Sequence, residues 1–419
     1  MSKQAWRILV HSTPRIFTAR VLCPGMLVIV TPVRPLSKIL LSLLAVLVIG
    51  VYVLLNPPLD VPAGALSQRI YKRGPHQVNY QPIDWVDTSR PTMANHTFKG
   101  SGSRELKGRI WFPTDKEGAP YPLVIYSHGY MSQYKEGDYL LDFLASHGYV
   151  AVSVDFPLSS GSAPGGATVA DIVNQPGDIS FLIDQMLARS KQPDNMLHGT
   201  VDGERIAAIG LSLGGLTTEL AGLDPKLRDP RIRAAISMAG PTQFFTSDYF
   251  AGDNIPFMYL GGTADAIVPY KEHAEPLPGK YKDTVLVALD SGSHVGFIDM
   301  APALFRWLDN PDKLGCVGLM YGLKKAQEGS ADGKPLPNLG ELLGGPPGID
   351  AKQASAPCKN SEYPRAMRPA RQHTLTTLAV YSLLESLFSP SEVTRTEMHD
   401  YLFEQFSKEN TDATVIAAN

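Results

Sequence analysis

A mostly parallel, doubly wound α/β sheet with helices on both faces is predicted by two observations. Short apolar runs alternate along the chain with segments of helical spacing. One of them, Arg205–Ile209, passes directly into Gly210-Leu211-Ser212-Leu213-Gly214-Gly215 and then into the helix-compatible segment Leu216–Ala221. Strand, sharp glycine turn and helix are the setting in which G-x-S-x-G presents an exposed serine hydroxyl. Gly210 and Gly214 lack the Cβ that would clash in such a turn.

Composition allows one large α/β domain or two ordinary ones. The chain has 419 residues, 44% hydrophobic and 19% charged, so a sizeable core is available. A formal net charge of −3, without a basic stripe, does not fit a nucleic-acid binder. Three cysteines are too few for a disulfide scaffold or a multi-cysteine metal site.

The amino terminus is different in kind. Residues 1–38 are basic, with Lys3, Arg7, Arg15, Arg20, Arg34 and Lys38 and no acidic residue before Asp60. Ile39–Leu55 is uncharged and reads as a transmembrane helix or signal anchor of roughly 25 Å. The positive-inside rule then puts everything after Asn56 on the exported side, periplasmic or extracellular. The alternative is a secreted protein cut after Ala63-Gly64-Ala65, an A-x-A pattern. Met26 is a second candidate start. Export would leave Cys316 and Cys358 in an oxidising compartment, either paired or as two buried thiols.

Residues 56–85 read as a polar, proline-containing linker with a lead-in strand, and 86–419 as the folded domain. Strands are expected at Pro122–Tyr126, Tyr149–Val154, Ile206–Ile209, Ile232–Ile236, Pro256–Leu260 and Thr284–Leu289. Helices are expected at Glu136–Ala145, at Asp178–Leu187 and from Thr374. The stretch from about 301 to 369 breaks the alternation and reads as an insertion, a candidate cap over the site.

In a sheet of this kind chemistry sits in loops at the carboxyl ends of strands. A serine nucleophile needs a base in reach and a carboxylate to orient the base. Downstream of Ser212 lie His273, His294, His373 and His399. Only His294 follows a strand and a loop, Asp290-Ser291-Gly292-Ser293. His273 lies in a charged segment expected to be exposed. Asp265 follows the preceding strand through Gly261-Gly262-Thr263-Ala264, with Asp290 as the fallback acid. The expected oxyanion donors are the N–H groups of Leu213, directly after the serine, and of Tyr130. Tyr130 ends Ser127–Tyr130, the first of two Ser-His-Gly-Tyr copies. The second copy, Ser146–Tyr149, reads as a helix end with Gly148 as its cap, and His128 reads as a loop-shaping residue.

Ser127-His128-Gly129, Asn174–Ser180, Gly210–Gly215, Gly262–Pro269 and Ser293-His294 together resemble the α/β-hydrolase superfamily. Within it they are similar to predicted dienelactone hydrolases and to platelet-activating-factor acetylhydrolases. The resemblance covers about 108–297 and the final helix. It implies Ser212 as nucleophile, Asp265 as acid, His294 as base, and Tyr130 and Leu213 as oxyanion donors. Authentic dienelactone hydrolase has cysteine where this chain has Ser212, so lactone chemistry of that kind is not implied.

The expected activity is therefore carboxylic ester hydrolysis through an acyl-enzyme, on a small-molecule or lipid ester, with no metal or organic cofactor. An amidase or peptidase of the same superfamily and a non-catalytic membrane-anchored binding module are the alternatives. Oligomeric state is not legible.

Overall fold

The computed structural model describes residues 20–23, 26–29, 35–55, 60–252, 255–328, 337–345, 347–359 and 362–418. It divides into two units, 1–57 and 58–419. The first holds an antiparallel hairpin, Arg20–Cys23 with Met26–Ile29, and a helix, Pro35–Leu55. Most of the basic leader, Lys3, Arg7, Arg15 and Arg34 among it, lies outside the described residues.

The apolar run does form a helix, but the membrane-spanning expectation is not supported. Among the described residues no helix is long and apolar enough to cross a membrane.

The second unit is built on a nine-stranded sheet. Its strands in chain order are β1 (Val78–Asp87), β2 (Arg104–Pro113), β3 (Tyr121–Ser127), β4 (Val150–Asp155) and β5 (Val201–Leu211). They continue with β6 (Ile232–Met238), β7 (Phe257–Gly262), β8 (Thr284–Leu289) and β9 (Ala413–Ala417). Across the sheet the order is β9-β8-β7-β6-β5-β3-β4-β2-β1. The strands from β4 to β8 pair in parallel. The β1–β2, β2–β4 and β8–β9 pairs are antiparallel.

The central strands are apolar throughout because both faces are covered. Along β3, Val124 and Tyr126 face one side, against Leu140 and Leu144 of α1 (Asp138–Ser146) and Leu378 of α5 (Pro369–Phe388). Leu123 and Ile125 face the other, against Ile179, Leu182 and Ile183 of α2 (Gln175–Lys191). A third apolar cluster sets Leu216 and Leu220 of α3 (Leu213–Leu223) against Phe257 and Tyr259. A one-residue slip in any of these strands would exchange the two faces.

Two stretches differ from the sequence expectation. Residues 56–85 contain a helix, Ala65–Ile70, and most of β1, so they are more than a linker. β1 is where a lead-in strand was expected, and it is an edge strand with one face to solvent; the helix was not expected. The insertion carries α4 (Asp312–Glu328) and several single turns. A disulfide joins Cys316 to Cys358 across 42 residues.

Candidate active site

β5 delivers Ser212 at its carboxyl end. The residue has φ 57° and ψ −120°, a conformation that costs a non-glycine residue about 1–3 kcal/mol. The turn leaves no room around it. A Cβ on Gly214 would lie 2.0 Å from the Ser127 carbonyl oxygen, and one on Gly210 would lie 2.0 Å from that of Gly214. The Ser212 N–H donates to the Met238 carbonyl at 2.8 Å, tying the turn to β6. Leu213 opens α3, so its N–H belongs to the first helical turn, whose donors have no intrahelical acceptor.

β7 and β8 deliver the pair beside it. Asp265 Oδ1 accepts the N–H groups of Ile267 (2.8 Å) and Val268 (2.7 Å), which fixes the carboxylate. His294 Nδ1 lies 2.8 Å from Asp265 Oδ2. With Nδ1 so engaged, Nε2 is the imidazole nitrogen left for chemistry. Burial alone would lower the His294 pKa. The Asp265 carboxylate, by charge and hydrogen bond, outweighs it with help from Asp312 and Glu136, so the pKa lies above the usual histidine value. Ser212 and His294 line the same cavity, of about 710 Å³.

The loop after β3 runs along this cavity through Gly129, Tyr130 and Met131. Its shape is set from behind. His128 Nε2 accepts the Phe156 N–H at 3.0 Å, and His128 Nδ1 donates to the Gly129 carbonyl at 2.7 Å. Burial lowers the His128 pKa to about 4, so the ring is a neutral strut, as expected of a loop-shaping residue. Glu136 Oε2 accepts the Gly129 N–H at 2.9 Å and the Tyr126 hydroxyl at 3.1 Å. Burial pushes the Glu136 pKa up to about 7.

The remaining candidates are placed elsewhere. Asp290 is exposed and accepts from the Thr263 hydroxyl at 3.2 Å, so it does not face His294. His273, expected on an exposed segment, is buried, and its Nδ1 accepts the Thr242 N–H at 3.0 Å. The short helix Tyr270–His273 turns its histidine inward against the loop after β6. His373 is buried in α5 and stacks on Tyr139 at 3.7 Å. Asp178 joins a buried charge cluster with Arg104 (2.6 Å), while Asp171 lies 2.8 Å from the same guanidinium. That cluster fastens α2 to β2. Among the described residues no group of His, Cys, Asp and Glu is placed to hold a metal ion.

One residue of the site was not foreseen. Asp312, the first residue of α4, is fully buried. Its Oδ2 accepts the N–H groups of Ala266 and His294, each at 3.0 Å, and its Oδ1 accepts that of Val295 at 2.8 Å. It thus clamps the Asp265 loop to the His294 loop. Burial, and then the nearby Asp265 charge, raise its pKa to about 6. The available signal was the spacing Asp312, Cys316, Leu319, Leu323, one face of a helix inside the insertion.

Residues 67–303 match the PETase family model, described as PET hydrolase-like. A cutinase of Thermobifida fusca (strain YX) is 24% identical over 278 residues, 64% of this chain and 82% of that protein. Cutinase 1 of Thermobifida cellulosilytica is 25% identical over 191 residues, 45% of this chain and 64% of that protein. These matches support the superfamily and carry nothing on the platelet-activating-factor acetylhydrolase branch. The chain belongs to the PETase family of PET hydrolase-like proteins and is a carboxylic ester hydrolase of the α/β-hydrolase superfamily.

Proposed function

We propose that the chain is a serine esterase acting through an acyl-enzyme. The observation that carries this is the convergence of a strained Ser212 and a carboxylate-bound His294 on one cavity at the carboxyl ends of β5 and β8. Ser212 Oγ attacks the ester carbonyl carbon while His294 Nε2 takes its proton. Asp265 holds the ring and stabilises the imidazolium. The N–H groups of Leu213 and Tyr130 receive the oxyanion. The tetrahedral intermediate collapses, the alkoxide takes the proton from His294, and the alcohol leaves. Water, deprotonated by His294, attacks the acyl-enzyme and releases the acid, and Ser212 recovers its proton.

The names of the relatives make cutin and poly(ethylene terephthalate) natural first polyesters to assay. We also propose an exported catalytic domain, supported by the Cys316–Cys358 disulfide and by the basic leader before the apolar run.

The test is Ser212→Ala on a short-chain p-nitrophenyl ester. A loss of at least roughly a thousandfold is expected, together with loss of labelling by a fluorophosphonate probe. Unchanged turnover in the variant would reject the role of Ser212.

A further inference from the structure

Ser212 opens on two cavities. Besides the one it shares with His294, a second of about 550 Å³ lies on the other side of Tyr130, Ile267 and Leu319, and those three residues and Ser212 line both. The two differ in chemistry. The first is edged by Glu136, Asp138, Asp155 and Asp299, with Lys135. The second carries no carboxylate: it is walled by Val169, Leu213, Phe244, Val268 and Leu323, with Gln243, His273 and Lys324 among its polar residues.

Resting on the esterase reading above, we infer that the second cavity is the acyl lobe and that the preferred substrates are esters of extended apolar acids. The direction follows from the proton. His294 must hand its proton to the departing alkoxide, so the alcohol lies on the side that His294 lines, which is the first cavity. The acyl chain then runs the other way, past Leu213, into the apolar space. The four carboxylates cannot favour an alkyl chain on their side.

The roof of the acyl lobe is α4, through Leu319 and Leu323, with Ala354–Pro357 beside it. Three contacts hold that roof in place. Cys316 of α4 is bonded to Cys358, next to Pro357. Gly315 lets α4 approach closely: a Cβ there would lie 2.5 Å from the Val295 side chain. The Ser355 hydroxyl donates to Gln243 Oε1 at 2.9 Å. The lobe is therefore a formed pocket on the scaffold, and burying a chain in it needs little further ordering.

The test is a series of p-nitrophenyl esters from acetate to decanoate on the full-length chain. With about 0.8 kcal/mol gained per buried methylene, kcat/KM is expected to rise about fourfold per carbon until the lobe is full. Leu323→Trp, which fills the lobe, is expected to cut the decanoate-to-acetate ratio of kcat/KM at least tenfold. Val317→Ser, on the exposed face of the same helix at 67% exposure, is expected to leave that ratio unchanged. A flat or falling series in an enzyme that labels with fluorophosphonate would overturn the acyl lobe and leave the esterase reading standing. So would a Leu323→Trp protein of normal melting temperature whose ratio is unaltered. Absence of both turnover and labelling would remove the esterase reading and the inference with it.

Discussion

Replacing Asp312 by asparagine separates two things the side chain does, because they respond in opposite directions. In the native fold the carboxylate accepts three backbone N–H groups. An asparagine oriented to keep Ala266 and His294 turns its amide N–H toward that of Val295. One charge-assisted bond is lost, worth about 1.5–3 kcal/mol. Against that stands the cost of the buried charge. A pKa raised from 3.8 to about 6 corresponds to about 3 kcal/mol spent on keeping the group ionised at pH 8. The two nearly cancel, so the melting temperature at pH 8 is expected to change by only a few degrees. The sign with pH is fixed by the direction of the shift. The folded protein holds this proton more tightly than the unfolded chain, so the wild type gains on the variant as pH falls from about 6 toward 4. Activity has no such compensation. The His294 and Asp265 loops lose their shared acceptor, and misplacement of a base by about 1 Å can cost on the order of a hundredfold. Removing the Asp312 charge also removes one of the influences that raise the His294 pKa. We expect kcat/KM to fall tenfold to a hundredfold at pH 8, and the acid limb of its pH profile to move to lower pH. Scanning calorimetry at pH 8 and pH 5, with a full pH–rate profile, measures all three. Wild-type kcat/KM with an unmoved acid limb would refute the positioning role. So would an activity loss that merely tracks a collapse of the fold.

Four further outcomes are expected. In the wild type the acid limb of kcat/KM should lie above pH 6.5, because His294 must be neutral to accept a proton and its pKa is raised; a limb below pH 6 in a rate profile would contradict this. Glu136→Gln should flatten the stability profile: with its pKa moved from 4.5 to about 7, the native carboxyl binds its proton more tightly than the unfolded chain, so wild-type stability relative to the variant rises by up to about 3 kcal/mol as pH drops from 8 to 4. Denaturant titration at several pH values reads this directly. Reducing the disulfide, or Cys316→Ser with Cys358→Ser, should release about 4 kcal/mol of chain-entropy stabilisation for a 42-residue separation, visible as a lower denaturation midpoint and a weakened preference for long acyl chains. Gly214→Ala should abolish activity and lower expression of folded protein, since its Cβ would meet the Ser127 carbonyl oxygen at 2.0 Å; a folded, active variant would show that the turn can open.

Legibility in the sequence followed locality. The turn around Ser212 could be read because strand, glycines and helix are contiguous, and steric exclusion at Gly210 and Gly214 acts within a few residues. Thr284–Leu289 was read with its observed limits, because a strand buried on both faces is an unbroken apolar run. His294 and Asp265 were chosen by a rule of position, at the carboxyl ends of successive strands, and the structure sets His294 Nδ1 2.8 Å from Asp265 Oδ2. β1 was read only as a lead-in strand without limits, because an edge strand alternates with polar residues and its ends resemble a loop. β9 was not read, because it pairs antiparallel with β8 at the far end of the chain, and no local pattern encodes a partner over a hundred residues away. The burial of His273 was missed for the opposite reason. Its neighbours Lys271 and Glu272 are exposed, and a charged tetrapeptide gives no sign that its fourth side chain turns inward.

The insertion was illegible as a fold but not as a face. Asp312, Cys316, Leu319 and Leu323 recur at intervals of four, three and four residues along α4, so they share one side of that helix. In space that side does three jobs in sequence order. Asp312 reaches the backbone of both loops behind the site, Cys316 pins the helix to Cys358, and Leu319 and Leu323 close the second cavity. A helix carrying only apolar residues at these positions would be a lid with no bond to the chemistry. One carrying only the aspartate would be a brace open to solvent. Because both ride on one rigid element, a displacement of α4 that widens the acyl lobe also pulls on the backbone of His294. On the esterase reading proposed above, substrate fit and base position are then mechanically joined, because α4 touches both the second cavity and the His294 backbone.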